Sequence, residues 1–497
     1  MLRVVHSRFA AFLALLILPV WAQEMHEHPA PEKLGEVSFP TSCKSAVQRD
    51  FNRGVALLHS FSYSAADKVF REVAARDPHC AMAHWGVAMT RFHQLWQPRI
   101  APDAYGVAQK EIDLGMRIGA KTEQERQFLR AAEFVFQNAD SVPYETRALK
   151  YEQVMSELAA ANPKNVETQV FYALALLANA SPSDKTHMRQ KHAAELLEPL
   201  LQAWPEHPGI AHYLIHAYDN AELASQGLSA ARLYSKIAPS VPHALHMPSH
   251  IFTRLGLWDD SVKANIAASE ASRRDGDVGE ELHAMDYLVY AYLQRGDDQA
   301  AAQVLSQLRS MQGLDMSDFK IAFAATAIPI RYAVERGDWS AASAISASLE
   351  APPEVRAHAC WAQALGFART GRAPDAHRSI EELQRIEQQL QSAGNSYWAA
   401  QVRVMKREAM GWAAHAEDKE GEAEALLQRA ADEEDSFEKL PITPGPIIPA
   451  REQLGALLLE QGHLDSARKE FKKSLAETPG RRGSLKGVEL ASQSRSK

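Results

Sequence analysis

Glycine and alanine recur along this chain at a fixed interval, and that interval limits most strongly what the chain can become. QRGDDQAA, ERGDWSAA, RTGRAPDA and EQGHLDSA each place a glycine five residues before an alanine: Gly296 and Ala301, Gly337 and Ala342, Gly371 and Ala376, Gly462 and Ala467. Glycine lets the backbone reverse between two helices, and the small alanine lets the second helix lie close to the first. FNRGVALLHSFSYSAADKVFREVAARDP carries the whole unit, with Gly54 on a first helix, Ala66 and Phe70 on a second, and Pro78 to stop it. Pro163, Pro205, Pro239 and Pro479 close further second helices. Pro205 and Pro239 stand one repeat apart, whereas the interval from Pro163 to Pro205 is longer, which predicts extra residues in the ANASPSDK loop.

One such pair cannot bury its own apolar face, so successive pairs must stack. Apolar residues recur with a period near 3.6 and strand-like alternation is almost lacking, which predicts an all-α chain. The pattern resembles the tetratricopeptide repeat (TPR). That resemblance implies a TPR-like helix-pair solenoid, a right-handed superhelix whose concave groove is lined by the first helix of each pair. Repeats are expected over residues 47–481, degenerate at about 97–145 and 438–447. An N-terminal extension over 23–46 precedes them, and a C-terminal tail over 482–497 follows.

The first 22 residues read as a secretory signal peptide. Arg3 and Arg8 precede FAAFLALLILPV, and VWA offers a cut after Ala22. The apolar run is shorter than the roughly 20 residues a membrane span needs. The expected mature chain is therefore exported, periplasmic or secreted, with no membrane span. In that oxidising setting Cys43 and Cys80, separated by close to one repeat, are expected to pair as a disulfide. Cys360 is left as a small buried apolar residue. A formal charge of -8 without a long basic run predicts no nucleic-acid partner.

HYLIHAYDN places His212 and His216 four apart, and HALHMPSHIF repeats the pair one repeat later as His246 and His250. Superposing Gly256 on Gly296 sets His243 over His283, His246 over Asp286 and His250 over Tyr290. Spacings of three and four share one helix face. The apolar Leu214, Ile215, Leu245, Ile251 and Phe252 take the packing side, so the histidines are expected on the groove wall. Neighbouring first helices lie roughly 10 Å apart, within reach of a shared ion. His212, His216, His246 and His250 are thus the expected metal ligands, with Zn or Cu as the cofactor. His84, His243, His283, Asp286 and Tyr290 are expected to line the ligand-binding groove, and Asp286 or Glu281 would be a base. MHEH at residues 25–28 is a lesser metal-binding candidate.

LLHSFSY at 57–63, DPHCAMAHWGVAM at 77–89, HPGIAHYLIHAYD at 207–219, PHALHMPSHIFTRLGLWDDS at 242–261 and PGPIIPAREQLG at 444–455 are together similar to a group of exported bacterial TPR proteins. The resemblance implies export and architecture, without an activity. H-E-x-x-H, G-x-S-x-G, the P-loop and the dinucleotide glycine fingerprint are all missing. Three readings stand: a groove that binds a protein segment or small ligand through a histidine metal site, a metal-dependent enzyme built on the same histidines, and an interaction scaffold whose histidines are inert.

Overall fold

The turn residues explain the helix boundaries. Gly276, Gly296, Gly337 and Gly394 adopt φ of 74°, 79°, 68° and 74°, a left-handed conformation that side chains with a Cβ resist. Each is followed by an Asp or Asn that caps the next helix. Asp277, Asp297, Asp338 and Asn395 accept from the amides of Glu280, Ala300, Ala341 and Trp398. The glycine ends one helix and its neighbour starts the next.

The computed structural model describes residues 32–96, 100, 101 and 103–493. The expected signal peptide and the MHEH stretch lie outside the described residues. Among those described, helices follow one another as pairs, beginning Ser45–His59 with Tyr63–Arg76 and ending Ala450–Glu460 with Leu464–Glu477. No strand occurs among them, and no helix is long and apolar enough to cross a membrane. The chain is an all-α, TPR-like solenoid.

A single buried ring joins each terminal pair to its neighbour. A Cβ at Gly54 would meet Phe70 Cε1 at 2.7 Å, and one at Gly86 would meet Phe70 Cγ at 2.5 Å. Phe70 is therefore clasped between two successive first helices, each of which can approach only because it lacks a side chain there. Phe471 stands in the same relation to Gly455 and Gly487. Removing either ring would cost about 3 to 5 kcal/mol. The second case corrects an expectation, because residues expected as tail form the helix Arg482–Gln493. It supplies the last first-helix surface and caps the stack.

Both ends of the solenoid return to its middle. Near the N-terminus, the Glu36 amide donates to the Glu206 carbonyl and the Ser240 amide to the Lys33 carbonyl. At the C-terminus, Trp258 donates to the Gly480 carbonyl, and buried Arg481 reaches Tyr290, Glu335 and Glu452. The stretch expected as degenerate near 97–145 is largely helical, as Ala104–Ile118 and Glu123–Phe136. The other, 438–447, is irregular and touches first helices across the concave side. The Glu438 amide donates to Pro182, Lys439 pairs with Asp219, Tyr287 donates to the Pro441 carbonyl, and Arg331 donates to the carbonyls of Gly445 and Pro446. The segment occupies the groove that the repeat pattern left open.

Candidate metal centre

Pro208–Tyr218 carries His212 and His216. Pro248 divides the next first helix into Pro242–His246 and Pro248–Arg254, which carry His243, His246 and His250. Val278–Arg295 brings His283. The histidines are not an exposed wall, as expected, but a buried cluster. His212 is fully buried, the others except His216 expose 3% or less, and His216 is half-buried. Phe61, Trp96 and Tyr287 pack on the imidazoles. Phe61 holds φ of 55°, an uncommon conformation for a bulky residue, and its ring contacts His212, His216 and His243.

The ligand-capable atoms converge as two triads. His212, His216 and His243 offer nitrogens within 4.8 Å of one another, and so do His246, His250 and His283. The two pairs of the expected tetrad thus fall in different triads, each completed by a histidine expected to line the groove, His243 or His283. The triads adjoin, with ring centroids of His216 and His250 6.1 Å apart and those of His243 and His246 6.2 Å apart.

Four imidazoles are oriented from outside through Nδ1. His212 donates to the His59 carbonyl at 2.6 Å, His243 to Glu280 at 3.2 Å, His246 to Asn265 Oδ1 at 2.7 Å and His250 to Asp219 at 2.9 Å. Asn265 uses its amide to donate to the Ser261 carbonyl, which leaves its oxygen for His246. Lys320 and His243 hold Glu280 well below the usual carboxylate range despite burial. Lys439 and His250 do the same for Asp219. A carbonyl, an amide oxygen and two carboxylates can only accept, so each of these imidazoles carries its proton on Nδ1 and leaves Nε2 bare.

The bare nitrogens face one another. His212 Nε2 lies 3.2 Å from His243 Nε2, and His246 Nε2 lies 3.1 Å from His250 Nε2. Neither contact has a hydrogen to share when the rings are neutral. Burial and the neighbouring imidazoles push His212 and His246 well below 6.5, and burial lowers His250 to about 4. A proton bridging His246 and His250 is therefore disfavoured near neutral pH. A tetrahedral ion with bonds of about 2.0 to 2.1 Å would set neighbouring nitrogens about 3.3 Å apart, close to the spacing observed. His216 Nδ1 and His283 Nε2 are buried without a partner. The donor set fits Zn or Cu, with outer acceptors of the kind that fix metal-binding histidines.

A cavity of about 80 Å³ reaches the first triad, walled by Gln94, Gln190, His216, Asp219, Lys439 and Pro441 among others. The Oε1 atoms of Gln94 and Gln190 are buried and unpaired. Together with Lys439, they give a small polar molecule acceptors and a cation beside His216.

Other expected groove residues are engaged elsewhere. His84 contacts Glu111 through Nδ1 at 2.7 Å. Asp286 pairs with Arg331 at 2.8 Å, and Tyr290 lies against Arg481 and Trp258. The face carrying His283, Asp286 and Tyr290 thus serves the cluster only at its first position, because the next first helix and the C-terminal end take the other two. Glu281 turns to Arg273 at 2.8 Å, while its neighbour Glu280 faces His243. Sequence reasoning missed Asp219, Glu280, Asn265 and Lys439. Asp219 does follow His216 by three residues and Glu280 precedes His283 by three, which places them near the ligands. A third group, His59, Glu167 and His207, is also buried, with Glu167 accepting from both imidazoles at 2.9 and 3.0 Å. Cys43 and Cys80 form a disulfide with Cα atoms 4.7 Å apart, and Cys360 is a half-buried free thiol.

No family model and no curated protein matches this chain. Solved structures do align along it. The Cut9–Hcn1 hetero-tetramer of APC/C covers 91% of this chain and 77% of its own at 11% identity, with a TM-score of 0.36. The P58(IPK) TPR domain covers 91% and 99% at 11% identity, with a TM-score of 0.21. An IFIT1 monomeric mutant with m7Gppp-AAAA covers 91% and 96% at 11% identity, with a TM-score of 0.37.

Proposed function

We propose that this chain is an exported metalloprotein, a TPR-like solenoid that binds a transition metal, Zn or Cu, on the histidines of its filled concave side and presents it to a small polar ligand. One observation carries the reading: the bare Nε2 atoms of His212 and His243, and of His246 and His250, face each other at 3.2 and 3.1 Å. At His246 and His250 two buried lone pairs repel unless a cation lies between them, and in the first triad the one hydrogen that neutral rings can offer, from His216 Nε2 to His212 at 3.1 Å, leaves His243 without a donor. The segment 438–447 across the groove favours a small ligand over a bound protein segment. Export is supported by the apolar N-terminal run and by the Cys43–Cys80 disulfide.

Metal analysis of the purified chain tests the reading, before and after incubation with Zn or Cu salts and removal of the excess. Stoichiometric retention is expected, and His212→Ala with His246→Ala should abolish it. A wild-type chain that retains neither metal would overturn the proposal. A catalytic role is favoured by the cavity at His216, which gives one triad an approach for a further ligand beside Lys439.

A further inference from the structure

Resting on the metal-site reading, the geometry points to more than one ion. We propose that the two triads hold two copper ions at once, one on His212, His216 and His243 and the other on His246, His250 and His283, each taken up as Cu(I). A single ion cannot use all six imidazoles. Each triad closes within 4.8 Å on its own, and every close Nε2 pair falls inside a triad, His212 with His216 and His243, and His246 with His250. Each triad also has its own close pair of bare nitrogens, and each pair is held by its own external acceptors. His59 and Glu280 serve the first, and Asn265 and Asp219 the second. One ion would satisfy one pair and leave the other lone pairs opposed.

The charges around the cluster select the ion. All six ligands are neutral, and no carboxylate belongs to either triad. Outside them, Asp219 meets Lys439 and Arg254, Glu280 meets Lys320 and lies beside Asp277, and Glu438 meets Lys185 and Arg254. With Asp318, which acts on Lys320 as Asp277 does, five acids stand against four bases, and the shell offers about one net negative charge. Two divalent ions would leave about three positive charges uncompensated among buried rings, and two cuprous ions about one. Imidazole nitrogens accept copper as well as zinc, so the charge of the ion and not the donor type separates the two.

Anaerobic titration of the metal-free chain with Cu(I), against bathocuproine disulfonate as competing chelator, tests this. Two equivalents per chain are expected, with a tenfold excess of Zn(II) displacing neither. His216→Ala and His283→Ala should each lower the stoichiometry from two to one. Native mass spectrometry of the wild-type chain counts the ions without relying on either variant. One equivalent in the wild type would overturn the two-ion inference and leave the metal-site reading standing. No metal of any kind would overturn both. Displacement by Zn(II) would overturn the copper assignment, and loss of both ions from a well-folded single variant would overturn the assignment of one ion to each triad.

Discussion

Gly487→Ala should weaken the C-terminal cap, although alanine is the better helix former. The added methyl would stand 2.5 Å from Cε1 and Cε2 of Phe471, where carbons settle at about 3.5 to 4.0 Å. The ring cannot retreat, because its opposite side already meets Gly455, where a Cβ would lie 2.9 Å from Cδ1. Overpacking of this kind costs about 1 to 3 kcal/mol, and relief of a helical glycine returns about 1 kcal/mol. The expected net loss is about 0 to 2 kcal/mol. Gly421→Ala is the matched control: it is also helical, with nothing within 4 Å of the added atom, and should gain up to about 1 kcal/mol. Urea unfolding of both variants gives the two signs, and hydrogen exchange should place the loss of protection first in Arg482–Gln493. In a double-mutant cycle, Phe471→Leu should restore tolerance of the Gly487→Ala methyl. Equal stabilisation by the two glycine replacements would refute the clasped-ring argument.

Cys43→Ser should lower stability by about 3 to 4 kcal/mol, the chain-entropy value for a loop of this length, and thiol counting of the denatured, unreduced wild-type protein should find one reactive thiol, Cys360. Burial opposes ionisation of Glu167, but His207 and His59 outweigh it and hold the carboxyl down to about 2. Because its folded value lies below the unfolded one near 4.3, its contribution is present above about pH 4.3 and lost as pH falls toward 2. Glu167→Gln should flatten that acid limb in a pH series of thermal melts. Arg331→Ala would leave Asp286 buried without its partner at a cost of about 3 to 5 kcal/mol, and hydrogen exchange in residues 438–447 should rise as the carbonyls of Gly445 and Pro446 lose their donor.

The helix pairs were legible because their seam is written in small residues at fixed spacing, and because glycine and aspartate at the turn act locally. The final helix was missed because it lacks the glycine-to-alanine turn signature by which the other pairs are read. Its signal was present all the same, since the interval from Gly455 to Gly487 equals that from Gly54 to Gly86. Recurrence at the repeat interval found His212, His216, His246 and His250, but not their grouping. That grouping depends on the break at Pro248 and on how tightly the solenoid coils, and neither is local. Asp286 and Tyr290 were assigned by helix face alone, and Arg331 and Arg481, 45 and 191 residues away, claim them. The segment 438–447 has no period to read, and its place follows from partners far back in the chain.

The order in which the chain is made gives that segment a further meaning. The six histidines all lie between positions 212 and 283, while Lys439, which reaches back to Asp219, is added much later. At roughly 5 to 20 residues per second, the stretch between His283 and Lys439 takes on the order of 8 to 30 s to follow. A chain that folds from its N-terminal end therefore sets its imidazoles under Phe61 and Trp96 well before Lys439 and Pro441 close the side at His216. Under the proposed metal reading, an ion would enter beside His216 before that stretch arrives and be held in place once it has.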